Sequence, residues 1–186
     1  MPIEIVAPNP EWPQAFARVK AALIPALPKG TAIHHIGSTA VAGLAAKEII
    51  DVQVTVPALA HFDDTALSAA GFHRRPPALD HCPAGLILPQ TALQKRLYRG
   101  ETPHRSNVHL RQRGRFNQRY ALLCRDYLRA TPLAAAAYGT IKQQLAAHFS
   151  DDIDAYYDIK DPTFDLIMAA AEAWAKASDW AIPPPD

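Results

Sequence analysis

The sequence predicts an α+β fold: a mixed β-sheet flanked by helices, with a helical segment at its C-terminal end. Three observations carry that reading. Strand-type alternation is confined to the first 113 residues, and the chain beyond Gly114 reads as helix almost throughout. The composition, 49% hydrophobic and 20% charged over 186 residues, is that of an ordinary globular domain. One domain over residues 1–186 is expected, with a sheet-containing core at 1–113, a helical part at 114–182 packed on it, and a frayed tail at 183–186.

Ile3 to Ala7 has the composition of a short strand. Asn9 and Pro10 form a helix start, a capping side chain followed by proline at the first helical position. Trp12, Phe16, Val19 and Leu23 then recur on one helical face. Thr31 to Ile36 reads as a strand stopped by the Gly37-Ser38-Thr39 turn, and Val41 to Ala46 as a short helical connection. Glu48 to Val56 is the clearest strand, with Ile50, Val52, Val54 and Val56 on one face and Ile49, Asp51, Gln53 and Thr55 on the other. Leu59 to Ala70 is helical by composition, and the proline-rich stretch from Arg75 to Pro89 reads as loop with one short strand at Leu86 to Leu88.

Gln94 to Arg99 and Arg105 to Gln112 read as two strands joined by a turn. In the second, Arg105, Asn107, His109 and Arg111 share a face while Val108 and Leu110 point the opposite way. Helices follow at Phe116 to Ala130, Pro132 to Phe149, Asp151 to Tyr157 and Pro162 to Trp180.

Net charge is +1, but it is segregated along the chain. From residue 95 to 129, ten Lys or Arg face only Glu101 and Asp126, whereas from 130 to 186 three cations face nine acids. Such a basic block favours phosphate-bearing partners; it also fits a solvated face balanced by the acidic last third. No apolar run approaches the roughly 18 residues that cross a bilayer, and Met1 to Trp12 lacks a basic segment followed by an apolar one. A cytoplasmic protein without membrane contact is expected. Cys82 and Cys124 are too far apart in sequence, and too few, for a zinc ribbon or a disulfide framework, and read as buried free thiols.

The chemistry-bearing stretch runs from Ile36 to Val54. Gly37 and Ser38 follow a strand, where backbone N–H groups and a hydroxyl can cradle a phosphate. Asp51 lies 14 positions on, with Gln53 on the same strand face. A carboxylate and a second oxygen at i and i+2 suit a divalent ion beside such a cradle; the same features also fit an ordinary turn and a strand-edge ion pair. Gly43 is not followed by the Lys-Ser/Thr of a P-loop, and nothing around Ser38 forms a nucleophile elbow that would join it with His109 and Asp51 in a triad.

These residues resemble the GrpB family, part of the nucleotidyltransferase-like superfamily. The match runs through Asn9-Pro10-Glu11-Trp12-Pro13, Phe16, His35-Ile36-Gly37-Ser38-Thr39, Gly43-Leu44-Ala45-Ala46-Lys47 and Ile50-Asp51. It continues in order through Lys95-Arg96, Asn107-Val108-His109-Leu110, Arg125-Asp126-Tyr127-Leu128, Pro132, Tyr138, Lys142, Tyr156 and Lys160. The resemblance implies a nucleotidyltransferase-like mixed sheet with the Gly-Ser turn at its functional edge; members also occur fused to dephospho-coenzyme A kinase. Carried over, the superfamily's phosphate-binding pair falls on Gly37 and Ser38, and its first metal carboxylate on Asp51.

The second metal carboxylate falls on Gln53, a neutral amide, and the neighbouring strand offers Asn107 and His109 where a third acid belongs. Asp80 can take that place only if its loop folds back. The expected site therefore has Asp51 and His109 as catalytic groups. Gly37, Ser38, Thr39, Lys47, Gln53, Lys95, Arg96, Arg105, Asn107, Arg111, Arg125, Tyr156 and Lys160 would hold phosphate or nucleotide, with Mg²⁺ or Mn²⁺ on Asp51. Two functions compete: nucleotidyl transfer using the metal, and a catalytically lapsed module that binds a nucleotide, a coenzyme or RNA.

Overall fold

The computed structural model describes residues 2–186. Asn9 Oδ1 accepts the Glu11 N–H at 2.9 Å, and helix α1, Trp12–Leu23, begins at Trp12 rather than at Pro10, with Pro13 inside its first turn. Strand β1, Ala32–Ile36, pairs antiparallel with β2, Ile50–Val56, and β2 pairs parallel with β6, Ser106–Gln112. Between β2 and β6 come a short helix α2, Thr65–Ala69, the two-residue strands β3, His73–Arg74, and β4, Ala78–Leu79, a turn of helix α3, Gln90–Leu93, and strand β5, Gln94–Gly100. The sheet order is β1-β2-β6-β5-β3, with β4 also on β5.

One sheet face is dry. Ile50, Val52, Val54, Val56, Tyr98, Val108 and Leu110 are buried there against Trp12, Phe16, Val19 and Leu23 of α1. The other face is polar: the parallel register sets Asp51 beside Asn107 and Gln53 beside His109. Helices α4, Phe116–Ala130, α5, Pro132–His148, and α6, Ile153–Ala177, build a second core around Leu123, Cys124, Leu128, Tyr138 and Met168. Val41 and Leu44 plug into it, so the Gly-Ser turn is clamped between the two cores. Among the described residues no helix is long and apolar enough to cross a membrane.

Six local expectations need correction. Ile3 to Ala7 forms no strand; Val6 alone bridges to Ala46. Val41 to Ala46 forms no helix, because Gly43 takes a φ of 77° and the flanking apolar side chains are drawn into the helical core. Leu59 to Ala70 is helical only from Thr65: the carbonyls of Leu59 and Phe62, which a longer helix would use, accept the Arg96 guanidinium, and Asp63 binds the Thr65 N–H and hydroxyl. No strand forms at Leu86 to Leu88; β3 and β4 pair with β5 instead.

The fifth correction concerns α6, which runs through Pro162 where two helices were expected. Asp152 caps it, accepting the Ala155 N–H at 3.0 Å, and packing against both α4 and α5 holds the helix together past the missing N–H. The tail at 183–186 is docked rather than frayed. Asp186 accepts from the His35 N–H at 2.7 Å and from Arg125 Nη1 at 2.8 Å.

Candidate functional site

Helix α4 lies over the Gln53 end of the polar sheet face and leaves the Asp51 end open, where α5 and α6 overhang it. The result is a cleft with a cavity volume of about 1240 Å³. Its floor carries Asp51, Arg99, Asn107 and His109; its walls carry Ser38, Lys47, Arg105, Lys142, Tyr156 and Lys160. The serine turn and the two polar strands therefore converge on one cavity.

Gly37 sits at the hinge of this arrangement with a φ of 71°. A Cβ there would stand 2.6 Å from Asp51 Oδ2, so the strand carboxylate and the turn touch only because the residue is glycine. Asp51 Oδ1 accepts from Asn107 Nδ2 at 3.0 Å and lies 3.5 Å from His109 Nε2. Burial is the largest influence on Asp51 and works to raise its pKa, yet the hydrogen bonds and charge of His109 and Asn107 hold the carboxyl below its usual range. His109 is itself depressed, by burial first, and its Nδ1 is buried without a partner among the described residues.

Lys142 joins the site although nothing in its sequence surroundings assigns it a role there. It comes from α5, is only 3% exposed, and donates to Ser38 Oγ at 2.7 Å and to the Ala45 carbonyl. Burial, with Lys160 and Lys47 nearby and only Asp51 opposing, pushes its pKa down to about 7. Lys47 lies over the rings of Tyr156 and Tyr157 at 4.8 and 5.1 Å, which places an ammonium beside the turn with its stem packed on aromatic faces. Lys160 sits 5.1 Å from the Tyr157 ring and pairs with Asp161 at 2.9 Å. Arg105 has no side-chain hydrogen bond among the described residues.

Other expected ligand contacts are engaged elsewhere. Arg96 pairs with Leu110 across the β5–β6 ladder and so lies on the dry face, bonded to the Leu59 and Phe62 carbonyls. Arg125 spends Nε on Asp126 and Nη1 on His35 O and Asp186. Thr39 is buried with its Oγ1 on His35 Nε2 at 2.9 Å. Gln53 is fully buried: Oε1 accepts from Arg111 and Nε2 donates to the Gln118 carbonyl.

The loop that carries Asp80 does fold back. Its carboxylate accepts from Arg111 Nε and Nη2 at 2.8 and 2.9 Å, from Lys95 Nζ at 2.5 Å and from Asn117 Nδ2 at 2.9 Å. Lys95 and Arg111 line the cleft, but both are paired with the one Asp80 carboxylate, which leaves the trio a net charge of about +1. This donor set does not fit a pair of divalent ions. Asp51 is a lone carboxylate, the Gln53 oxygen is taken by Arg111, and Asp80 is saturated by two cations. Among the described residues no group of three His, Cys, Asp or Glu is placed to hold a metal.

The profile described as GrpB protein matches residues 2–170. The chain belongs to the GrpB family. The crystal structure of conserved protein GrpB from Enterococcus faecalis superposes with a TM-score of 0.72 at 31% identity, covering 92% of this chain and 99% of that one. A dephospho-CoA kinase of Mycolicibacterium paratuberculosis is 36% identical over 200 residues, 96% of this chain and 48% of that protein. UPF0157 protein YqkA of Bacillus subtilis is 33% identical over 180 residues, 94% of this chain and 48% of that protein. The chain thus spans about half the length of these two curated relatives. Within this GrpB chain, the Lys142–Ser38 contact joins residues 104 positions apart, and no local spacing signals it.

Proposed function

We propose that the cleft binds a phosphorylated small molecule of the nucleotide type, with lysine and arginine charge serving where a nucleotidyltransferase would place divalent ions. The observation that carries this reading is Lys142 Nζ on Ser38 Oγ at 2.7 Å, at the mouth of a cleft that Lys47, Arg105 and Lys160 also line. Hydroxyl, ammonium and guanidinium groups on one concave surface are the chemistry that phosphate oxygens seek. Metal-dependent nucleotidyl transfer draws less support, because Gln53 and Asp80 are both engaged inside the protein. The name of the mycobacterial relative adds dephosphorylated coenzyme A precursors to the ligands worth testing.

The test is a thermal-shift and calorimetry panel of nucleoside triphosphates, coenzyme A precursors, tripolyphosphate and short RNA, each with EDTA or with Mg²⁺ or Mn²⁺. A bound ligand at a hundred times its Kd adds about 2.7 kcal/mol, a rise of several degrees. Stabilisation by a nucleotide in EDTA, lost in Arg105→Ala, is expected. A response that appears only with metal, or only with RNA, would overturn the proposal.

A further inference from the structure

Beside the wide cleft lies a smaller chamber of about 200 Å³ that shares Gly37, Ser38, Asp51, Ala121, Lys160 and Phe164 with it and adds Arg125, Leu128 and Tyr138. Ala121 and Leu128 of α4, Tyr138 of α5 and Phe164 of α6 wall it with apolar and aromatic surface, while Arg125 and Lys160 supply the polar groups. Tyr138 and Phe164, both on its wall, stand 5.6 Å apart with their planes tilted by 52°. The Arg125 guanidinium is fixed by Asp126, His35 and Asp186 through Nε and Nη1, which leaves Nη2 as its nitrogen without a partner among the described residues.

We infer that this pocket is the ring subsite of a bipartite ligand site: it takes the flat heterocycle of a nucleotide against Phe164, while the phosphates extend past Ser38 into the cationic cleft. The inference rests on the anion-binding reading above and fixes the ligand's polarity within it. The apolar walls favour a flat, weakly hydrated group over a free phosphate, and a fixed arginine donor favours a ring with an acceptor on its edge. Asp51, at the junction of the two chambers, lies where a sugar hydroxyl joins base to phosphate. The pocket opens between the two cores, so its walls are set by the packing of α4, α5 and α6 and are preformed.

Calorimetry with nucleoside triphosphates and with tripolyphosphate, both in EDTA, separates the two chambers. At least one nucleotide is expected to bind tenfold or more tightly than tripolyphosphate, in line with the roughly 1–3 kcal/mol per base that stacking supplies. Phe164→Ala should erase that preference and leave tripolyphosphate affinity unchanged. Ala121→Leu, which fills the pocket without opening a cavity in the core, should do the same and guards against a simple folding defect in the first variant. Tripolyphosphate binding as tightly as every nucleotide, or both variants weakening the two ligands equally, would overturn the ring subsite while sparing the anion cleft. Failure of tripolyphosphate and all nucleotides to bind would overturn both.

Discussion

Asp51 Oδ2 lies 2.6 Å from the point where a Cβ on Gly37 would stand, so the strand carboxylate and the turn after the neighbouring strand approach more closely than any side chain at residue 37 would allow. Gly37→Ala should therefore act twice. The left-handed backbone and the clash together cost about 2 kcal/mol or more, and Asp51 is pushed off Asn107. Chemical denaturation measures the first effect, and loss of ligand affinity beyond that of a stability-matched core variant measures the second.

Lys142 gives the protein a pH signature. The unfolded chain keeps the lysine proton to about pH 10, the folded chain only to about pH 7. Between those values unfolding takes up a proton, so the penalty of burying the charge is fully present below pH 7 and is relieved as pH rises. Lys142→Met should be more stable than the wild type at pH 6, with the advantage shrinking toward pH 10. Anion affinity in the wild type should fall above about pH 7, and that fall should be absent in the variant when titrations of the two are compared.

Asp80 is the keystone of the loop over β5 and β6. Asp80→Asn leaves Arg111 and Lys95 without their counter-charge and should cost about 3 kcal/mol. The folded-state pKa of Asp80 lies below its ordinary value, with burial opposing and Arg111 and Lys95 prevailing. Its stabilisation is present above about pH 4 and is lost as pH falls through the folded value. The gap between wild type and variant in urea denaturation should narrow accordingly in acid.

Arg96 and Arg105 separate architecture from recognition. Arg96→Ala should lower Tm, because the Leu59 and Phe62 carbonyls lose their donor, yet leave ligand affinity intact in the folded protein. Arg105→Ala should change stability by no more than about 0.5 kcal/mol and weaken phosphate binding. A reversed outcome would place the ligand on the other sheet face.

The parts legible in the sequence are those set by a local period. Alternation alone placed Val52 and Val54 in the core and Asp51 and Gln53 on the polar face, and it put Asn107, His109 and Arg111 together. What alternation within one strand cannot give is which face that strand turns to its neighbour. Arg96 was grouped with the site for its charge, and only the β5–β6 register shows that it shares a face with Leu110. Lys142 was hidden because its partner is 104 residues away, and helical periodicity marks a buried position without naming what a polar group there will touch. Asp80 needed a loop to return, and loops carry no period at all. The Pro162 break was a sound local rule overruled by packing on two neighbouring helices.

That unbroken α6 has a mechanical consequence. Tyr156 and Lys160 roof the cleft at one end, while Trp174 near the other meets Tyr127 of α4, about 27 Å along the same rod. A rod seated in a packed core at one end cannot tilt at the other without disturbing that seat. Occupancy of the cleft should accordingly slow amide hydrogen exchange near Trp174, which lines neither chamber.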